Sequence, residues 1–177
     1  MKEKRVRNSA KLNSPQGHGL PSAWQSHRPQ GEEARAYAFL LLKFRLRSEN
    51  ELAFRLRQKK FPEKVIQDTI SFLKDKQFID DRFFAKGWVS SRLKRPFGLR
   101  RIRQELALKG LDKEVIEEAL QRAKEHYSES EVISQLAEQR FSKLKNVEPQ
   151  KARARVYAYL MRRGFSPEIT SDIVKGL

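Results

Sequence analysis

The chain contains no cysteine, which excludes disulfides, thiolate-bound zinc and cysteine nucleophiles. Long apolar runs are missing as well. The longest, Ala36 to Leu42, is seven residues and stops at Lys43, well short of the ~20 that a membrane-crossing helix needs. Basic residues open the chain (Lys2, Lys4, Arg5, Arg7), but no apolar segment follows them, so no secretory signal and no membrane contact are expected. The expectation from these absences is a soluble, cytoplasmic protein. Glycine-rich phosphate loops are also lacking: Gly17-His18-Gly19 has neither a third glycine nor a preceding strand. The three histidines, His18, His27 and His126, show no metal-ligand spacing. Asp80-Asp81 has the residue types of a metal or acid/base pair, but adjacent acids opening a helix read more simply as a cap. No catalytic residue, metal or cofactor is expected.

Positive charge is what the chain has in excess. Its 177 residues carry 38 Lys+Arg against 22 Asp+Glu, a formal net charge of +16, with a pI near 10.3. Such a charge attracts polyanions, nucleic acid foremost. Apolar residues make up only 38% and charged residues 34%, which favours thin amphipathic elements over one large core.

Residues 1–33 hold three of the seven prolines (Pro15, Pro21, Pro29) and three glycines (Gly17, Gly19, Gly31), and read as a flexible basic arm with Trp24 as an isolated aromatic. From Ala34 onward apolar residues recur at helical spacing. Val65, Ile66, Thr69, Ile70 and Leu73 form one stripe, and Phe84, Ala85, Trp88 and Val89 another. Further stripes are Val115, Ile116, Ala119, Leu120 and Ala123, then Val132, Ile133, Leu136, Ala137, Phe141 and Leu144. With no sustained strand alternation, the body is expected to be all-α. Ser48 with Glu51 spells a capping box, Asp81 and Asp112 are candidate caps, Ser166-Pro167 pairs a cap with a first-turn proline, and Pro96 and Gly98 separate two helices.

The most informative feature is an internal repeat. Leu56-Arg57-Gln58-Lys59-Lys60-Phe61, Leu106-Ala107-Leu108-Lys109-Gly110-Leu111 and Leu160-Met161-Arg162-Arg163-Gly164-Phe165 share one pattern: Leu, two spacers, a base, Gly or Lys, then a large apolar residue. Val65, Val115 and Ile169 follow five residues after the Gly or Lys, and Leu52, Ile102 and Val156 precede the Leu by four. The pattern reads as helix, tight turn, helix. Glycine suits a left-handed residue there, and Lys60 must adopt that conformation at some cost or turn differently. With the preceding helix, three three-helix units are expected, near residues 34–78, 79–127 and 128–177. Each is short enough that neighbours are expected to pack as an array.

Arg92, Lys94, Arg95, Arg100, Arg101 and Arg103 fall within twelve residues that contain no acid. Leu99, Ile102 and Leu106 would face the core, leaving Arg100, Arg101 and Arg103 to project around the fifth helix, while Arg92, Lys94 and Arg95 end the fourth. Lys109, Arg162 and Arg163 lie at the ends of equivalent helices. Together these nine residues are the candidate binding surface for DNA or a nucleoprotein filament, as phosphate neutralisation by clustered arginine would produce. A helix–turn–helix presenting Arg100, Arg101, Arg103 and Gln104 to a groove is the alternative.

With repeat and basic corner in place, the chain resembles the RecX family of regulators of the RecA recombinase. The matching stretches are Ala36-Tyr37-Ala38 leading to Ser48-Glu49-Asn50-Glu51-Leu52, then Phe78-Ile79-Asp80-Asp81-Arg82-Phe83-Phe84-Ala85, and most specifically Gly98-Leu99-Arg100-Arg101-Ile102-Arg103-Gln104-Glu105-Leu106-Ala107-Leu108-Lys109-Gly110-Leu111. Lys60, where the family's turn usually has glycine, and the long arm are departures. The resemblance covers residues 34–177 and implies three tandem three-helix repeats in an elongated, curved array. It also implies a non-enzymatic monomer that binds the RecA filament with its single- or double-stranded DNA and inhibits its ATPase and strand exchange, in DNA repair, recombination and the SOS response.

Overall fold

Nine α-helices and no strand follow one another in the computed structural model, which describes residues 29–177. They group in threes. The first unit holds α1 (Gln30–Phe44), α2 (Glu49–Gln58) and α3 (Glu63–Asp75). The second holds α4 (Asp81–Leu93), α5 (Leu99–Leu108) and α6 (Lys113–Lys124). The third holds α7 (Glu129–Phe141), continued by a 3-10 turn at Ser142–Leu144, then α8 (Pro149–Arg162) and α9 (Pro167–Lys175). The expected arm, with Trp24, His18 and His27, lies largely outside the described residues. Helix α1 begins at Gln30, four residues ahead of the Ala34 boundary, with Glu32 and Glu33 complementing the dipole of its first turn.

Most helix starts follow the local signals. Ser48 and Glu51 form the reciprocal capping box, and Ser166 accepts from the Ile169 amide ahead of Pro167. Asp81 departs from expectation. Asp80 is the cap of α4, because its backbone is extended (φ −152°) and its Oδ1 accepts from Arg82 N at 2.7 Å and Phe83 N at 3.1 Å. Asp81 is already helical, and its carboxylate instead accepts the Glu49 amide of α2 at 3.0 Å. Asp112 occupies the cap position of α6 but makes no side-chain cap bond.

The repeated hexapeptide is a helix-ending Schellman turn. In the first unit, Phe61 N donates to Leu56 O at 3.3 Å and Lys60 N to Arg57 O at 2.8 Å. The same pairs recur as Leu111 to Leu106 and Gly110 to Ala107, and as Phe165 to Leu160 and Gly164 to Met161. This assigns a reason to each position in the motif. The Leu and the final apolar residue are the two ends of the six-to-one bond and its hydrophobic contact. The base sits at the helix C-terminus, where the dipole favours it. The fifth residue is left-handed, with φ of 63° at Lys60, 75° at Gly110 and 77° at Gly164.

Each unit buries its own core. The second encloses Phe84, Ala85, Val89, Leu99, Ile102, Leu106, Leu111, Ile116 and Leu120, and the third Ile133, Ala137, Val156, Leu160, Phe165 and Val174. In the first unit, Ala34, Leu56 and Ile66 form one cluster and Ala38, Leu52, Leu73 and Ile79 another. Apart from Ile79, which opens the second unit and packs with Ala38, Leu52 and Leu73 of the first, no residue of these buried clusters lies outside its own unit.

Hydrogen bonds join the units instead, by one device used twice. The start of a unit's second helix docks on the Schellman turn of the next unit: Ser48 Oγ donates to Lys109 O at 2.7 Å, and Gly98 N to Arg163 O at 2.9 Å. The approach is close. A methyl group at Gly110 would overlap the Asn50 side chain, one at Gly164 would overlap Arg101, and one at Gly98 would overlap the Gly164 backbone. Among the described residues no unit precedes the first, so its turn meets no such neighbour and carries Lys60, at only the conformational cost of a left-handed lysine.

That distinction predicts unequal substitutions. Gly110→Ala and Gly164→Ala should each destabilise by about 2–4 kcal/mol, through the left-handed penalty and the clash together. Lys60→Gly should change stability by no more than ~1 kcal/mol, because relief of strain is offset by glycine's entropy. Chemical denaturation of the three variants checks the order.

Candidate nucleic-acid interface

The nine candidate cations separate into three groups once their partners are placed. The first is tied down within the second unit. Glu105 of α5 accepts from Trp88 Nε1 at 3.0 Å, Arg92 Nε at 2.6 Å and Arg101 Nε at 3.1 Å. Burial opposes ionisation of this carboxyl, but the bond from Arg101, the charge of Arg92 and the other donors outweigh it and hold it below its ordinary value. Arg92 also lies over the Trp88 ring, 4.3 Å from its centroid. Arg103 reaches Glu117 of α6 with two bonds, 2.7 and 2.8 Å, both groups being about half exposed. The acid-free run between Arg92 and Arg103 is therefore partly neutralised by acids from beyond it.

The second group holds the junctions. Lys109 lends its carbonyl to Ser48, and its ammonium reaches Glu51 at 2.8 Å while lying 4.1 Å from the Trp88 centroid. Arg163 lends its carbonyl to Gly98 and donates from Nη1 to Pro96 O at 3.0 Å. Its guanidinium lies between two rings, Phe97 at 5.7 Å and Tyr159 at 4.8 Å. Arg101 covers Phe97 at 4.2 Å and Arg140 covers Tyr159 at 4.9 Å. A ladder of alternating cation and ring, Arg101–Phe97–Arg163–Tyr159–Arg140, thus crosses from the second unit into the third.

The third group is Lys94, Arg95, Arg100 and Arg162. All four are exposed, and none lies within ion-pair distance of a carboxylate among the described residues. They also fall together, since each is within four residues along the chain of the Gly98–Arg163 hydrogen bond that joins the units. Four unpaired charges at one junction, beside a cation–aromatic ladder, form a surface suited to a phosphate backbone.

Reading the sequence missed Phe97, Tyr159 and Arg140, and it missed the neutralising acids. Glu105 was accessible to it, standing four residues after Arg101 on one helix. Glu51, 58 residues from Lys109, carried no local signal. Asp80 and Asp81 bond backbone amides, one at the α4 cap and the other at the first junction.

Family models for the first, second and third three-helix domains of RecX match residues 34–73, 80–120 and 128–174. The Regulatory protein RecX of Caldanaerobacter subterraneus is 32% identical over 139 residues, which covers 78% of this chain and 68% of that protein. That of Haemophilus influenzae is 30% identical over 139 residues, covering 78% of this chain and 90% of that protein. The crystal structure of RecX from Lactobacillus salivarius superposes with a TM-score of 0.73 at 24% identity, covering 84% of this chain and 96% of that one, and shares its fold.

The first junction should be sensitive to acid. Glu51 accepts two bonds from Arg45 at 2.9 Å and one from Lys109 at 2.8 Å. Burial pushes its carboxyl up, but these partners bring it down from the ordinary 4.5 to about 2. A carboxyl depressed in the folded state adds stability that is present above its unfolded pKa and drains as pH falls through its folded one, here between about 4.5 and about 2. Glu51→Gln should cost about 1–3 kcal/mol at pH 7 and progressively less towards pH 2. Thermal melts of the two proteins across that range should converge.

Proposed function

The chain belongs to the RecX family of regulatory proteins, and on that premise we propose that it binds a RecA–DNA filament and lowers its ATP hydrolysis and strand exchange. The observation that carries the reading on this chain is the group of unpaired cations where the second and third units meet. In this reading the units, with boundaries near residues 78 and 127, lie along the filament. Lys94, Arg95, Arg100 and Arg162 contact DNA phosphates, and the ladder, with Arg101, Arg163 and Arg140 over the Phe97 and Tyr159 rings, holds the junction between them. Arg92, Arg101, Arg103, Lys109 and Arg163 contribute chiefly by holding that surface in shape. The protein acts without a cofactor, as a cytoplasmic monomer in DNA repair, recombination and the SOS response. Among the described residues no helix is long and apolar enough to cross a membrane.

The second reading, a stand-alone helix–turn–helix DNA-binding protein, needs the start of α5 free to enter a groove. The bond from Gly98 N to Arg163 O covers that end with the third unit, and Glu105 and Glu117 engage Arg101 and Arg103. Both facts weigh against it.

Charge reversal at Lys94, Arg95, Arg100 and Arg162 together should weaken inhibition of RecA-driven ATP hydrolysis on single-stranded DNA at least tenfold, with the fold intact by circular dichroism. It should also remove about 3 from the slope of log affinity against log salt for single-stranded DNA. Reversal of Arg103 alone, held by Glu117, should have a much smaller effect. Unchanged inhibition by the fourfold variant would remove this surface from the mechanism.

A further inference from the structure

A groove of about 680 Å³ runs between α4 and α6 on the second unit. Its floor is apolar, formed by Val89 and Leu93 of α4, Val115, Ala119 and Ala123 of α6, and Tyr127 beyond it. Phe83, 61% exposed, stands in its lining. The groove follows α4, whose 13 residues span about 20 Å, the length of a helix of three to four turns.

The repeat explains why the groove is open here. Counted from the turn residues Lys60, Gly110 and Gly164, the positions of Ala119 and Ala123 are taken by Thr69 and Leu73 in the first unit and by Ile173 and Leu177 in the third. Leu73 is fully buried, and Ile173 and Leu177 pack on the core of the third unit. Only the middle unit has alanine at both places, so its seam carries methyl groups where the other two carry larger side chains.

The rim is cationic. Arg82, Lys86, Lys94 and Arg122 line it, against Asp80 and Glu118. Asp80 is engaged as the α4 cap, and Glu118 is shared by Arg82 at 3.2 Å and Arg122 at 2.7 Å. One carboxylate thus serves two arginines, and Lys86 and Lys94 have none in ion-pair reach among the described residues. We propose that this groove docks an amphipathic helix of a partner protein, one that seats large apolar side chains on the alanine seam and sets carboxylates against the basic rim. A nucleic-acid backbone would leave the apolar floor without a use. The chain's own N-terminal residues 1–28 carry six bases and one acid, the wrong sign for this rim.

The inference does not rest on the recombinase reading, and its test contains neither RecA nor DNA in the primary measurement. The probe is a fluorescein-labelled helical peptide of about 14 residues, with leucines along one face and glutamates flanking them. A scrambled version of equal composition serves as the control. Fluorescence anisotropy with the full chain should show saturable binding at least about tenfold tighter for the patterned peptide. Ala123→Leu, which installs the residue its sister units already carry, should abolish that preference. Lys86→Glu with Lys94→Glu should weaken binding severalfold and flatten its salt dependence, with unchanged circular dichroism in both cases. Equal affinity for the scrambled peptide, or undiminished binding by the folded Ala123→Leu variant, would overturn the proposal. So would displacement of the peptide by single-stranded DNA as effectively as by unlabelled peptide. Concentration-dependent self-association abolished by Ala123→Leu would assign the groove to a second copy and overturn it as well.

Discussion

The carbonyl oxygen left free at the end of a helix is what the assembly of this molecule depends on. A helix cannot satisfy its last carbonyls internally, and something must come to them. At Lys109 and Arg163 what comes is the neighbouring unit, through a serine hydroxyl in one case and a glycine amide in the other. The left-handed turn beyond each carbonyl makes room for that approach. Glycine there serves a second purpose besides its dihedral angle, since any side chain would strike the incoming helix. Lys60 is tolerated because, among the described residues, its turn receives no such helix.

Because the cores are separate, the units are held in relation to each other mainly by polar contacts. Such contacts are directional, so they set orientation, and they are individually modest in energy. The first junction reinforces its hydrogen bond with Lys109 and Arg45 around Glu51, and with Asp81 on the Glu49 amide. The second has the counterpart of that last contact, Glu129 Oε1 accepting the Leu99 amide at 3.0 Å, and adds a guanidinium between Phe97 and Tyr159. A cation in contact with rings remains charged and needs no acid to offset it. With Glu129 and Glu105 as acids beside it, the second junction still keeps Lys94, Arg95, Arg100 and Arg162 outside ion-pair distance, so it is less fully balanced than the first.

This contrast bears on function. A basic protein can spend most of its charge on its own carboxylates, and Arg92, Arg101 and Arg103 do so. The charges that remain for a polyanion are those with no carboxylate in ion-pair distance, and the four of the nine candidate cations that meet this condition flank the Gly98–Arg163 contact. The second unit thus presents two surfaces of different chemistry: unpaired cations beside aromatic rings at one junction, and an apolar seam with a basic rim between α4 and α6. Lys94 belongs to both, so the two are adjacent.

The sequence by itself determines an all-helical body of three three-helix units, some of the helix starts, the capping box at Ser48, the three turns and the membership of a family. All of these rest on residues a few positions apart, where periodicity and capping chemistry act. Even there a neighbour can intervene: Asp81 reads as a cap and is diverted to an amide 32 residues away, while Asp80 takes its place. Only the tertiary structure decided which arginines are neutralised, that glycine is needed at two turns for contact as well as conformation, and that Ala119 and Ala123 open a groove. The physical reason is that each of these depends on what folding brings from another helix or another unit. A residue's charge is written in the chain, but whether that charge is left unspent depends on distances that exist only after the helices have packed.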